Sequence, residues 1–182
     1  EVFINDPPTD LKNCHIEWAD YDNDQDLDFL LIGEDGSNSP FTVLYKNEQG
    51  NFHKDIRASE NLISVSKGSA AWGDYDNDGN LDLALSGLKA DGKPLTVLYL
   101  NQGRRIFELD SIVNPSLEGL SHSSTKWIDY DNDGDIDLLM SGKHQDGNPR
   151  TQLYEQIENS QFKIDAVVSG RIENVWESSL DC

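Results

Sequence analysis

Residues 129–137 read DYDNDGDID, with aspartate at every second position. The stretch recurs as DYDNDQDLD at 20–28 and DYDNDGNLD at 74–82, each with a tryptophan two residues ahead, at Trp18, Trp72 and Trp127. These tryptophans are 54 and 55 residues apart. Other landmarks keep the step: Gly33, Gly87 and Gly142 follow a short apolar run, Tyr45, Tyr99 and Tyr154 end a second, and Phe52, Phe107 and Phe162 open a third. Self-similarity at a fixed period marks stacked supersecondary units, so one explanation must serve three copies.

The second copy shows the unit most plainly. Ser69–Trp72 is a small, apolar approach to the aspartate loop, and Leu81–Gly87 is a mostly apolar run after it. Residues 90–94 (ADGKP) make a turn before Leu95–Leu100, and Asn101-Gln102-Gly103 turns again before Ile106–Leu109. Short apolar or alternating runs bounded by Gly, Pro, Asn and Asp read as strands. Four antiparallel strands in each repeat is the dimension of a β-propeller blade. A β-sandwich also has short strands, but gives no reason to repeat an identical loop.

The expected fold is therefore all-β, a single repeat domain over 1–182 built of propeller blades of four antiparallel strands. The units fall at 14–67, 68–122 and 123–170, with blade pieces at 1–13 and a partial blade at 171–182. Glu1–Asn5 reads as the last strand of a preceding unit and Ile172–Trp176 as the first strand of a following one, after which 177–181 lack the loop aspartates. Propellers typically close with 4–8 blades. Three full blades with parts of a fourth imply a partial ring, or one completed by further copies or segments.

The formal charge is −20, and the three loops hold 14 of the 34 acidic residues. Phosphate recognition needs clustered Lys and Arg, so nucleic acid is not the expected partner, nor is an anionic membrane surface. Charge this concentrated points to cations. No apolar run approaches the roughly 18–20 residues that span a bilayer, so no membrane insertion is expected. The start, EVFINDPPTD, carries no signal-peptide pattern, which is neutral about secretion because a mature chain lacks one. Cys14 and Cys182 make no disulfide framework; one bridge between them is open, as is a bond to another segment or a partner.

Alternating carboxylates repel unless a cation sits among them. Ca²⁺ takes 6–8 oxygen ligands from carboxylates and backbone carbonyls. A curled loop aims positions 1, 3 and 5 at one centre: Asp20, Asp22 and Asp24; Asp74, Asp76 and Asp78; Asp129, Asp131 and Asp133. Position 7 supplies a carbonyl, so its side chain varies as Asp26, Asn80 and Asp135. Position 9 closes the shell with Asp28, Asp82 and Asp137. Position 6 must turn sharply, which Gly79 and Gly134 permit and Gln25 does not. Asn23, Asn77 and Asn132 at position 4 tolerate left-handed backbone angles. The EF-hand is excluded, because position 12 is Leu31, Leu85 or Met140 within a strand instead of glutamate. Mg²⁺ prefers a stricter, wetter shell, and Zn²⁺ or Cu²⁺ would want His or Cys. The expectation is about three Ca²⁺, one per loop, bracing the blades, with the first loop weakest because of Gln25.

WGDYDNDGNLDL (72–83), with VLYLN (97–101) and IF (106–107), resembles the FG-GAP/VCBS repeat, as do WIDYDNDGDIDL (127–138) and WADYDNDQDLDF (18–29). The resemblance covers about residues 14–168. It implies a propeller like the integrin α-subunit head, one Ca²⁺ per motif-bearing blade, and life outside the cytoplasm. The SGxxxDGxP turns at 86–94 and 141–149 resemble those of secreted and cell-surface repeat proteins. The functional expectation is a non-catalytic extracellular module for protein or glycan recognition, adhesion or surface assembly. The alternatives are a sugar-binding lectin propeller, or the non-catalytic part of a secreted carbohydrate-active enzyme. His15, His53, His122 and His144 fall at unrelated repeat positions and build no catalytic constellation. The tryptophans are expected in the core between blades.

Overall fold

The computed structural model describes residues 3–5, 8–157 and 161–175. The described residues form three sheets. The first runs β2 (Lys12–Ala19), β3 (Asp28–Glu34), β4 (Pro40–Glu48) and β5 (Asn51–Lys54), with the short β1 (Phe3–Ile4) on its outer edge. The second is β6 (Ser66–Gly73), β7 (Asp82–Leu88), β8 (Pro94–Asn101) and β9 (Phe107–Leu109). The third is β10 (Leu120–Ile128), β11 (Asp137–His144), β12 (Pro149–Ile157) and β13 (Gln161–Ile164). Each four-strand unit is an antiparallel meander, and β6 packs between β2 and β10. The result is a partial propeller of three blades, without a closed ring among the described residues. No helix there is long and apolar enough to cross a membrane.

Register confirms the repeat. Phe29, Leu83 and Leu138 pair with Tyr45, Tyr99 and Tyr154 respectively. Because strand side chains alternate between faces, each second strand serves two cores. Leu30 and Ile32 face the second blade and join Leu83, Leu85, Tyr99 and Phe107 in one buried cluster. Ala84 faces the third blade and joins Leu138, Met140, Tyr154 and Phe162 in another. Phe29, Leu31, Tyr45 and Phe52 are the first blade's equivalents of those partners, and they form a separate cluster with Phe41 and Val43. That cluster is half of an inter-blade core, with no blade packed against it among the described residues.

Three expectations are corrected. The unit boundaries at 14, 68 and 123 fall two or three residues inside β2, β6 and β10. Each inner strand begins with a register shift, and Asn13, Lys67 and His122 take positive φ there, so the apolar pattern starts late. Phe3–Ile4 does not close a preceding blade but pairs parallel with Asn51–Phe52, on the outer edge of the first. Finally, Val175 N–H donates to Thr151 Oγ1 as Val65 does to Thr42 and Leu120 to Thr96. This threonine clamp hands the chain to its next inner strand seven residues before Trp72 and Trp127. Val175 therefore holds that hand-over place, and Ile172–Val175, expected to open the first strand of a following unit, form no strand. Residues 176–182, with Trp176 and Cys182, lie outside the described residues, as does any Cys14–Cys182 bridge.

Candidate metal centre

The three loops join the first and second strands of each blade, so each starts where an inner strand ends and finishes where a largely buried strand begins. Position 1 is tied down by the backbone it curls around. Asp20 accepts N–H groups from Asp24 and Gln25 at 2.9 Å, and Asp74 accepts from Asp78 and Gly79 at 3.0 Å. In the third loop Asp129 accepts from Gly134 at 3.3 Å. The tight curl needs left-handed backbone twice. Position 4 provides it at Asn23, Asn77 and Asn132, with φ of 61°, 59° and 62°. Position 6 provides it at Gln25, Gly79 and Gly134, with φ of 74°, 90° and 95°. Gln25 thus adopts the turn that glycine favours, at a conformational cost of order 1–3 kcal/mol. A Cβ at Gly79 would meet nothing within 4 Å, so the restriction there is backbone alone.

Carboxylate oxygens converge in every loop. Those of Asp20, Asp22 and Asp28 lie within 4.8 Å of one another, as do those of Asp74, Asp76 and Asp78, and those of Asp129, Asp131 and Asp137. Positions 1 and 3 meet in all three loops; position 9 joins them in the first and third, position 5 in the second. Asp24, Asp26, Asn80, Asp82, Asp133 and Asp135 stand outside these groups. Asn80 instead turns its amide to Asp78 and accepts from Asn23 at 3.1 Å, which links the first two loops.

Position 9 is buried in each loop. One oxygen accepts a third-strand N–H: Asp28 from Asn47 at 2.7 Å, Asp82 from Asn101 and Asp137 from Gln156 at 2.8 Å. The second oxygens of Asp82 and Asp137 take the N–H of Tyr75 and Tyr130. Asp28 Oδ2 has no donor, although Asp28 is wholly buried. Burial first, and then neighbouring aspartates, push Asp28 and Asp82 up to about 7. Burial raises Asp137 and Asp76 in the same direction. Buried acceptor oxygens without donors are what a hard cation with oxygen ligands repairs. The converging donor set is all carboxylate oxygen, which fits calcium chemistry.

Sequence reasoning missed the tyrosine at position 2. Tyr21, Tyr75 and Tyr130 donate their hydroxyls to Asp55, Asp110 and Asp165 at 2.7, 2.8 and 3.0 Å. Those aspartates also receive backbone N–H groups from the turn after each fourth strand; Asp55 and Asp165 cap the short helices α1 (Ile56–Ser59) and α2 (Ala166–Ser169). Tyr21 then stacks on Trp72 of the next blade (6.2 Å, 13°), and Tyr75 on Trp127 (5.6 Å, 16°). The loop is thereby bolted to both its own blade and the following one. The signal was legible: Asp55, Asp110 and Asp165 recur at intervals of 55 residues. Trp18, with no tyrosine before it, is 53% exposed. The tryptophans thus belong between blades at two positions and lie open at the third.

A family model described as FG-GAP-like repeat matches residues 14–85, the first unit and the second as far as the middle of its second strand. The third unit repeats the same strands and register. No curated protein and no solved structure matches the chain significantly.

Proposed function

From the premise that residues 14–85 match the FG-GAP-like repeat family model, we propose that the chain is a non-catalytic, calcium-binding β-propeller module of the extracellular space or cell surface. Ca²⁺ braces the blades, and the module serves protein or glycan recognition, adhesion or surface assembly. The observation that carries this reading is the convergence of three carboxylates within 4.8 Å in each loop. Ionised, such groups repel; a divalent ion turns the repulsion into coordination. Calcium then fixes the loop tyrosine, and through it the next blade. Calorimetric titration with Ca²⁺ and Mg²⁺ tests the reading. Binding of Ca²⁺ in preference to Mg²⁺, with a rise in thermal stability that EGTA reverses, is expected. No heat and no stabilisation at millimolar Ca²⁺ would overturn it.

Binding rather than catalysis accords with how the histidines are engaged. His15 faces Glu17, His53 faces Asn5 and His144 faces Asp146, each in its own corner of the surface. Assembly draws support from the half-core at the leading face. The two internal interfaces fill that place with a preceding blade, whose tyrosine stacks on the tryptophan. The partner that fits Trp18, Phe29 and Phe52 is therefore another unit of the same kind, from a further copy or segment. Light scattering against concentration checks this: association that Trp18→Ala abolishes is expected, and a monomer at every concentration in calcium counts against assembly through this face.

A further inference from the structure

One strand position separates the first loop from the other two. Lys46, Leu100 and Glu155 each follow the tyrosine that pairs with Phe29, Leu83 or Leu138, so they are equivalent. Lys46 reaches back into its loop. Its Nζ donates to Asp22 and, at 2.5 Å, to Asp24, the third and fifth loop positions. Leu100 has no group to offer there, and Glu155 carries the opposite charge and pairs with Lys163 at 3.0 Å. The ammonium lies largely out of solvent, its side chain 17% exposed.

The lysine changes which carboxylates converge. Asp24 is bonded to Lys46 and stands outside the group formed by Asp20, Asp22 and Asp28. The lysine does not satisfy every carboxylate oxygen of the loop. Asp28, wholly buried, keeps Oδ2 without a donor, and Asp22 Oδ1 likewise has none. The matching oxygens of Asp82 and Asp137 are bonded to backbone N–H. The first loop therefore holds a tethered cation on one side of its carboxylates and an unpaired buried oxygen on the other. A divalent ion taking positions 1, 3, 5 and 9 together would have to displace the ammonium, because two cations cannot share Asp22 and Asp24 without repelling each other.

We propose that Lys46 is a built-in competitor for calcium at the first loop. It neutralises Asp22 and Asp24 when calcium is scarce, so this loop fills last and the first blade keeps its loop closed without the ion. The proposal rests on the reading of the loops as calcium sites, and it ranks them: two tight, one weakened by its own strand.

The test is calcium titration of the intact chain as wild type and as Lys46→Leu, which installs the residue of the second blade. Lys46→Gln serves as a polar variant should the leucine perturb folding, and Lys46→Arg as a variant that keeps the charge. Wild type and Lys46→Arg are expected to bind two ions tightly and a third at least tenfold more weakly. Lys46→Leu and Lys46→Gln should bring the third site to within a few-fold of the others. Three equal sites in the wild type, or a third site that stays weak in both uncharged variants, overturns the proposal and leaves the calcium reading standing. No binding by any variant overturns both. An uncharged variant that loses protection in Asp28–Glu34 on chelation, where wild type does not, supports the lysine as calcium's stand-in.

Discussion

The first and second blades share a sequence pattern, a register and a set of loop bonds, yet they solve their electrostatics differently. In the second, Gly79 turns the loop, Leu100 leaves it uncompensated, and Asp82 has both oxygens bonded to backbone. In the first, Gln25 makes the turn at positive φ, Lys46 lies across two aspartates, and Asp28 keeps a buried oxygen unpaired. The blades differ in the same sense at their leading faces. Trp72 is covered by Tyr21, while Trp18 stands open. Repetition thus fixes the scaffold, and a single side chain on a neighbouring strand or a tyrosine reaching over from the preceding blade decides how each copy is held.

Chelation gives the largest expected contrast. A ligand held at a hundredfold above its Kd stabilises by about 2.7 kcal/mol per site. Removing it should expose amides in Asp82–Leu88 and Asp137–His144 to hydrogen exchange well before those in Asp28–Glu34. Equal loss across the three strands breaks the comparison. Next come the tryptophans. Trp72→Ala removes the seat of Tyr21 and part of a core, for which about 3 kcal/mol is expected in urea unfolding. Trp18→Ala, whose ring touches only Phe29 and Phe52 among aromatics on the described residues, should cost about 1 kcal/mol or less. Similar costs would mean that the leading face is covered in solution.

Below the Trp72 effect comes that of the position-9 aspartate. Asp82→Ala strands the buried N–H groups of Asn101 and Tyr75, at about 2 kcal/mol by the same measurement in calcium-free buffer. Asp28→Ala strands the Asn47 N–H alone and also removes an unpaired oxygen, so its loss should be the smaller. The smallest effect expected is a gain: Gln25→Gly relieves a positive φ and should stabilise the first blade by about 1 kcal/mol. A loss would show that the Gln25 side chain makes contacts worth more than the strain.

Much of this was written in the repeat. The period, the four strands, the left-handed asparagines at position 4 and the carboxylates at positions 1 and 3 all follow from local rules: alternation, turn chemistry and charge spacing act within a few residues. The Tyr–Asp bolt was legible too, since Asp55, Asp110 and Asp165 keep the period, but its meaning depends on a hydroxyl meeting a carboxylate some 35 residues away. Unit boundaries slipped because a β-bulge hides the first residues of each inner strand from the apolar pattern.

By itself, then, the sequence determined the three blades and the acidic loops, because spacing along one chain sets them. Only the tertiary structure decided that Lys46 enters one loop while Leu100 and Glu155 leave theirs, and that Tyr21 lies on Trp72 of the following blade. Those outcomes turn on which side chains from separate strands and separate blades arrive at the same few ångströms, and charge and stacking act across that gap without regard to distance along the chain.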